Sequence, residues 1–406
     1  MKTKQYQRLA LIGVSFTEQR DGVSVYIENF LAQILRLVFQ DGKNIHIDVY
    51  SCGKSAAILE ANIREYFKGF PTSVLSHVTF IKLSRNDLFT KYVMLPIRLQ
   101  INGPYDRIIL PNLQPLFLPR MKVFSLIHDL TYKRACKHFS IGRKLYLDLL
   151  TRFRIAADAT LGYISEPTQR DLFQYYPSCR NKHMIHVPNG LPFKMIRYAR
   201  PCKKDVEEKL TSKTLSLLFV GRINRLKGFD LVIGVCRRLD QYVLEHEDIS
   251  ILVNVVGKRT LEAETLLNSA KFERVDIRVH GYVNDDMLNQ LYRESAFCFF
   301  LSQNEGFGLP LLESAWFRCI PVLSNIPVFR KIMGQDYPLF PADFTSCEAI
   351  VEFIHQMRSS QRDRGIVLEM LERVVDTHRD GYERAAHEVL DLSCTEEYSK
   401  QVPSIG

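Results

Sequence analysis

The sequence has no C-x-x-C pair: its nine cysteines, at positions 52, 136, 179, 202, 236, 298, 319, 347 and 394, are scattered along the chain. That spacing excludes a compact disulfide framework or a zinc ribbon, and reads as reduced, buried thiols in a cytoplasmic protein. Uninterrupted apolar runs are short, and none approaches the ~18 residues a spanning helix needs. The first of them, Leu9–Val14, turns polar over Ser15–Asp21, so it reads as a first β-strand rather than as a secretory signal. Internal repeats and low-complexity tracts are absent, which sets aside solenoids and disordered tails. No helix-turn-helix, zinc or RNP-like pattern supports nucleic-acid binding.

What is present is an ordinary globular composition of 406 residues, 46% hydrophobic and 24% charged, enough for two or three domains. Charge is unevenly placed. Residues 1–200 carry 29 Lys and Arg against 14 Asp and Glu, whereas residues 201–406 carry 25 against 31. A basic first half implies an anionic counterpart, and a membrane face is one candidate. Residues 133–154 concentrate this feature, with seven basic residues, one acid and interleaved aromatic and aliphatic side chains. They are expected to form a basic amphipathic helix able to rest on anionic lipid.

Strand-like and helix-like segments alternate. Leu9–Val14, Ile45–Ser51, Arg107–Leu110, Val123–Ile127 and Ala159–Ile164 read as strands, with Ser24–Phe39 and Gly142–Ala157 as helices. The second half repeats this order, with strands at Leu215–Val220, Ile249–Val256, Asp276–His280, Phe297–Leu301 and Ile320–Leu323. The fold expected is α/β, two Rossmann-like doubly wound domains facing across a cleft. We divide the chain into a first domain (1–188), a polar linker (189–213) and a second domain (214–380). The remaining helix and tail (381–406) have packing back on the first domain as one option.

The chemistry is carried by two loops. In the run Glu305-Gly-Phe-Gly-Leu-Pro-Leu-Leu-Glu313, a strand ends, a glycine-rich loop follows, and Pro310 opens a helix. Backbone N–H groups around Phe307, Gly308 and Leu309, at a helix N-terminus, suit hydroxyls or phosphate oxygens. Glycines 306 and 308 permit close approach. Carboxylates at 305 and 313 accept hydrogen bonds from vicinal hydroxyls. The other loop, Gly221-Arg-Ile-Asn-Arg-Leu-Lys-Gly228, also follows a strand. Its Arg222 and Lys227 would stabilise a departing diphosphate.

These two loops, in this order and separation, resemble family 4 of the retaining glycosyltransferases, the glycosyl transferases group 1, which have the GT-B fold. The E-x7-E pattern is met by Glu305 and Glu313, and G-R-x-x-x-x-K-G by Gly221, Arg222, Lys227 and Gly228. The segment around Tyr282 and Val283 resembles the part of the family whose backbone meets the nucleobase. In the first half, Gly22-Val-Ser-Val-Tyr resembles the family's glycine-bearing loop, with one glycine where many members have two. Ile127-His-Asp-Leu130 resembles the H-D-L segment that would place His128 toward the donor sugar. Ser165 resembles a family serine and is equally suited to capping a helix. The Val187–Gly190 turn resembles the domain crossover and reads as a hinge.

The resemblance implies a hexosyltransferase that uses a UDP- or GDP-linked sugar and retains anomeric configuration. Glu305, Arg222, Lys227 and His128 would be catalytic. Gly22, Gly221, Tyr282, Val283, Gly306, Phe307, Gly308, Leu309 and Glu313 would bind the nucleotide sugar. Neither cofactor nor metal is expected, because the chain lacks the Asp-x-Asp pair with which transferases of the other common fold hold a divalent ion. The acceptor implied is a saccharide or lipid-linked saccharide in surface polysaccharide synthesis, with the protein cytoplasmic and peripheral on the inner membrane face. The rival readings are a non-catalytic two-lobed sugar-binding protein and an epimerase or phosphorylase of the same fold.

Overall fold

The computed structural model describes residues 6–17, 21–84, 87–116, 118, 121–246, 248–268 and 270–395, with the side chains of 393–395 outside the description. The chain divides into two compact units. The first gathers the described parts of Met1–Lys133, Phe139–Phe193 and Asp380–Gly406, and the second those of Arg134–His138 and Lys194–Arg379.

In the first unit seven strands form one parallel sheet. They are β1 (Gln7–Ile12), β2 (Ile45–Cys52), β3 (Val78–Leu83), β4 (Arg107–Leu110), β5 (Val123–Ile127), β6 (Thr160–Tyr163) and β7 (His183–His186), in the order β3-β2-β1-β4-β5-β6-β7. Every residue of β4 and β5 is buried, as expected where both sheet faces are covered. The helix Gly22–Gln40 is long and apolar enough to cross a membrane by length and composition, yet most of it is buried inside this unit. It is a core helix, packed on the C-terminal helix Gly381–Thr395. Asp21 caps it, its Oδ1 accepting from Ser24 N at 2.9 Å.

Gly381 lies so close to the Val187–Gly190 turn that a Cβ on it would meet Asn189 O at 2.0 Å. That turn, expected as a hinge, is thus packed backbone to backbone against the start of the last helix.

The second unit carries a six-stranded parallel sheet of β8 (Thr214–Val220), β9 (Ser250–Val256), β10 (Val275–Gly281), β11 (Phe297–Phe300), β12 (Ile320–Ser324) and β13 (Leu339–Phe340). Its order is β10-β9-β8-β11-β12-β13. The stretch 189–213, expected as a polar linker, contains local helical structure. It holds a turn of helix at Phe193–Ile196 and a helix at Lys203–Thr211. Val206 and Leu210, one turn apart, are buried, the Lys209 ammonium is covered as well, and the exposed charged residues form the outer face of an amphipathic helix. Among the described cysteines, six are buried free thiols, but Cys136 and Cys202 are exposed, which amends the all-buried expectation.

Candidate functional site

Both sheets reverse direction of growth beside their first strand: between β1 and β4 in the first unit, and between β8 and β11 in the second. At such a switch point the two loops leaving the carboxyl ends diverge and open a crevice. In the second unit these are the loops 221–228 and 301–308, the two that carry the sequence motifs.

Glycines set their closeness. Gly228 adopts φ +72°, and a Cβ there would stand 2.0 Å from Leu301 O, so one loop lies directly on the other. Gly221 has φ +147°, and its carbonyl oxygen would be 1.8 Å from a Cβ on Gly257. Gly221 N donates to Val256 O at 2.9 Å and Gly257 N to Gly281 O at 2.7 Å, tying together the ends of β8, β9 and β10.

Within the first loop Asn224 caps a short 3-10 turn, its Oδ1 accepting from Lys227 N at 3.0 Å. This aims Lys227 across the switch point. Its Nζ donates to Glu305 Oε1 at 2.6 Å, and Ser302 Oγ donates to the same oxygen at 2.7 Å. The lysine and the carboxylate, assigned separately to diphosphate and sugar, are therefore direct partners. An ammonium has three donors, so this contact leaves Lys227 with two others. Arg222 is exposed and forms no ion pair among the described residues.

Glu313 sits one turn into the helix Leu309–Trp316, where Tyr292 donates its hydroxyl to Oε2 at 3.0 Å. Burial, and then the charge of Glu313, hold the Tyr292 phenol well above its ordinary pKa, so it remains a donor. Gly308 is left-handed (φ +91°) at the cap of this helix, and no side chain caps it. Phe307 is buried with its ring 5.6 Å from that of His378, so only its backbone is available to a ligand. Leu309 is likewise buried. Gly306 lies between Glu305 and Phe307 in the same loop and is half-buried. At the end of β10, Tyr282 is exposed and Val283 half-buried.

The remaining candidates belong to the first unit. Gly22 is not a loop glycine but the first residue of the helix Gly22–Gln40, because Asp21 provides the cap immediately before it. His128 follows β5. Its Nε2 lies 2.6 Å from Pro111 O, and the Tyr26 ring meets it edge-on at 5.1 Å. Burial lowers its pKa, so the neutral ring donates through Nε2 and keeps Nδ1 as an acceptor. Ser165 caps the helix Glu166–Tyr175, accepting from Thr168 N at 3.3 Å.

Sequence reasoning did not find Ser302, Tyr292 or Asn224 as site residues. Asn224 alone left a signal, an N-cap residue three positions before Lys227.

Residues 203–373 match the family described as glycosyl transferases group 1. The serotype-specific mannosyltransferase WbdA of Escherichia coli is 44% identical over 144 residues, 34% of this chain and 17% of that protein. The chain thus spans about a sixth of this relative. The O-antigen biosynthesis glycosyltransferase WclY of Escherichia coli is 21% identical over 220 residues, 54% of this chain and 58% of that one. Among solved structures, Anabaena HepE in complex with UDP and glucose superposes with a TM-score of 0.66 at 14% identity, covering 95% of this chain and all of that one. Two parallel α/β units, the paired motif loops and these similarities agree: the chain has the GT-B fold, and its residues 203–373 match the glycosyl transferases group 1.

Proposed function

We propose that the protein is a retaining hexosyltransferase that moves a sugar from a UDP- or GDP-linked donor to a saccharide or lipid-linked saccharide in surface polysaccharide synthesis. The observation that carries this reading is the Lys227–Glu305 contact at the sheet's switch point, inside the segment that matches the family. Arg222 and Lys227 take the diphosphate and stabilise the charge that grows on it as the glycosidic bond breaks. Glu305 orients Lys227 and, with the backbone from Gly306 to Leu309, holds the transferred sugar. Glu313, fixed by Tyr292, holds the ribose hydroxyls, while Tyr282 and Val283 border the base. His128 offers Nδ1 as an acceptor to a donor-sugar hydroxyl.

The name of WbdA makes mannose the first donor sugar to test, and that of WclY favours an O-antigen-like acceptor. Cationic side chains perform the role a divalent ion would otherwise have, so no cofactor is needed. The enzyme works in the cytoplasm, peripheral on the inner face of the membrane.

The test is nucleotide release from a panel of UDP- and GDP-sugars by the purified protein. Release from one donor is expected, and Lys227→Ala and Glu313→Ala should each lower turnover about a hundredfold or more. Binding without release from any donor would instead favour a non-catalytic sugar-binding protein, and full activity in either variant would remove that residue from its role.

A further inference from the structure

Large apolar side chains that remain exposed are not spread evenly over this protein. Ten of the eighteen among the described residues fall on two segments of the first unit. One runs through the turn Thr90–Met94 into the helix Leu95–Asn102 and exposes Leu88, Phe89, Tyr92, Val93, Ile97 and Ile101. The other is the first half of the helix Ile141–Ala157, exposing Ile141, Leu145, Tyr146 and Leu149. Positions 93, 97 and 101 share one helical face, as do 141, 145 and 149, while Leu95, Leu99 and Leu150 turn inward. Tyr92 and Tyr146 join the segments through a hydroxyl contact of 2.9 Å. The result is one apolar patch with two tyrosines within it, where a monomer in water gains nothing by exposing it.

Basic residues stud this patch. Arg98, Arg143 and Arg152 are exposed, and Lys91 and Lys144 are half-buried. Asp148 is matched by Lys133 at 2.5 Å and by Arg152 at 2.9 Å, so it leaves little negative field. Arg154, counted from sequence among the basic residues of this helix, is buried and paired with Asp158, so it lies outside the basic face. The burial pattern gives it an inward position that composition does not reveal.

We infer that this patch, formed jointly by residues 88–101 and 141–149, is the surface by which the protein docks on an anionic lipid bilayer. Aliphatic and aromatic side chains enter the boundary between headgroups and acyl chains, tyrosines sit at headgroup depth, and the arginines meet lipid phosphates. A second copy of the chain fits less well. A twofold interface sets the same patch against itself and brings its cations face to face, where like charges repel. The docking surface deepens the membrane contact proposed above and rests on it for its purpose, which is to hold the protein beside a lipid-linked acceptor.

The experiment is flotation of the full chain with vesicles of phosphatidylcholine alone or with ~30% phosphatidylglycerol. Binding to the anionic vesicles is expected to be about tenfold greater and to weaken in high salt. The double variant Phe89→Glu/Leu149→Glu, both positions exposed, should abolish flotation. Arg98→Glu/Arg143→Glu should weaken it at least about fivefold. Both variants should release nucleotide in solution at the parent rate and melt at the parent temperature. Equal binding to both vesicle types, or flotation untouched by Phe89→Glu/Leu149→Glu, overturns the inference. So does a dimer of the parent chain that this variant converts to monomer. Absence of flotation with nucleotide release intact removes the docking surface alone, and flotation without release from any donor removes the catalytic reading alone.

Discussion

Gly221 and Gly257 both stand at the ends of strands under the candidate site, with φ of +147° and +140°. They differ in what a side chain would meet. A Cβ on Gly221 faces open space, whereas one on Gly257 would be 1.8 Å from the Gly221 carbonyl oxygen. Gly221→Ala is therefore expected to cost only backbone strain, about 1–3 kcal/mol, while Gly257→Ala must also push two strand ends apart. A lower Tm for Gly257→Ala than for Gly221→Ala is the expected result, and equal values would show that the strand ends yield freely. His128 supplies a pH effect. Its folded pKa lies below the ordinary 6.5 because burial disfavours the charged ring. Its contribution to stability is fully present above that value and is lost as pH falls from there through the folded pKa, because the unfolded chain takes up the proton first. Tm should accordingly drop less steeply between pH 7.5 and 5.5 in His128→Gln than in the parent, and parallel slopes would argue against it. Glu305, Glu313, Arg222 and Lys227 were legible because each belongs to a spaced motif. Ser302 and Tyr292 were not, since a hydroxyl that orients a carboxylate needs no fixed interval from it.

Among the elements, the helix Gly381–Thr395 binds the end of the chain to its beginning. It lies against the helix Gly22–Gln40 in the first unit, with Tyr382, Ala385, Ala386, Val389 and Leu390 buried. Leu390→Ala removes a fully buried side chain from this helix and should lower stability by about 2–5 kcal/mol, read as a fall in the urea midpoint. A change below about 1 kcal/mol would mean that the cavity closes. Most strands flanking the motifs were readable, because a central strand of a parallel sheet is buried on both faces and leaves an unbroken apolar run. β3 was missed for the converse reason. It is an edge strand, Val78-Thr-Phe-Ile-Lys-Leu83, only partly buried, and its sequence mixes both characters. β13 has two residues, too few to show any period. The helix Lys203–Thr211 was hidden in a charge-rich stretch because only Val206 and Leu210 mark its inner face.

On the scale of the whole molecule, the proposed donor couples to stability. A nucleotide sugar that binds only the folded second unit raises its stability by about 2.7 kcal/mol at a hundredfold excess over Kd. One donor in a panel should therefore raise Tm well above the rest, and EDTA should leave both this shift and the turnover intact if cationic side chains alone meet the diphosphate. Activity abolished by EDTA and restored by manganese would contradict that assignment. By itself the sequence determined the α/β grammar of both halves, the two motif loops and the basic character of the first half, because burial periodicity and local spacing are written in neighbouring residues. The tertiary structure alone decided that β8 lies beside β11, which brings Lys227 to Glu305 across 78 positions. It also decided that segments joined at Tyr92 and Tyr146, 54 positions apart, form one exposed apolar face. Strand order and exposure arise from contacts between distant parts of the chain, and no local pattern records them.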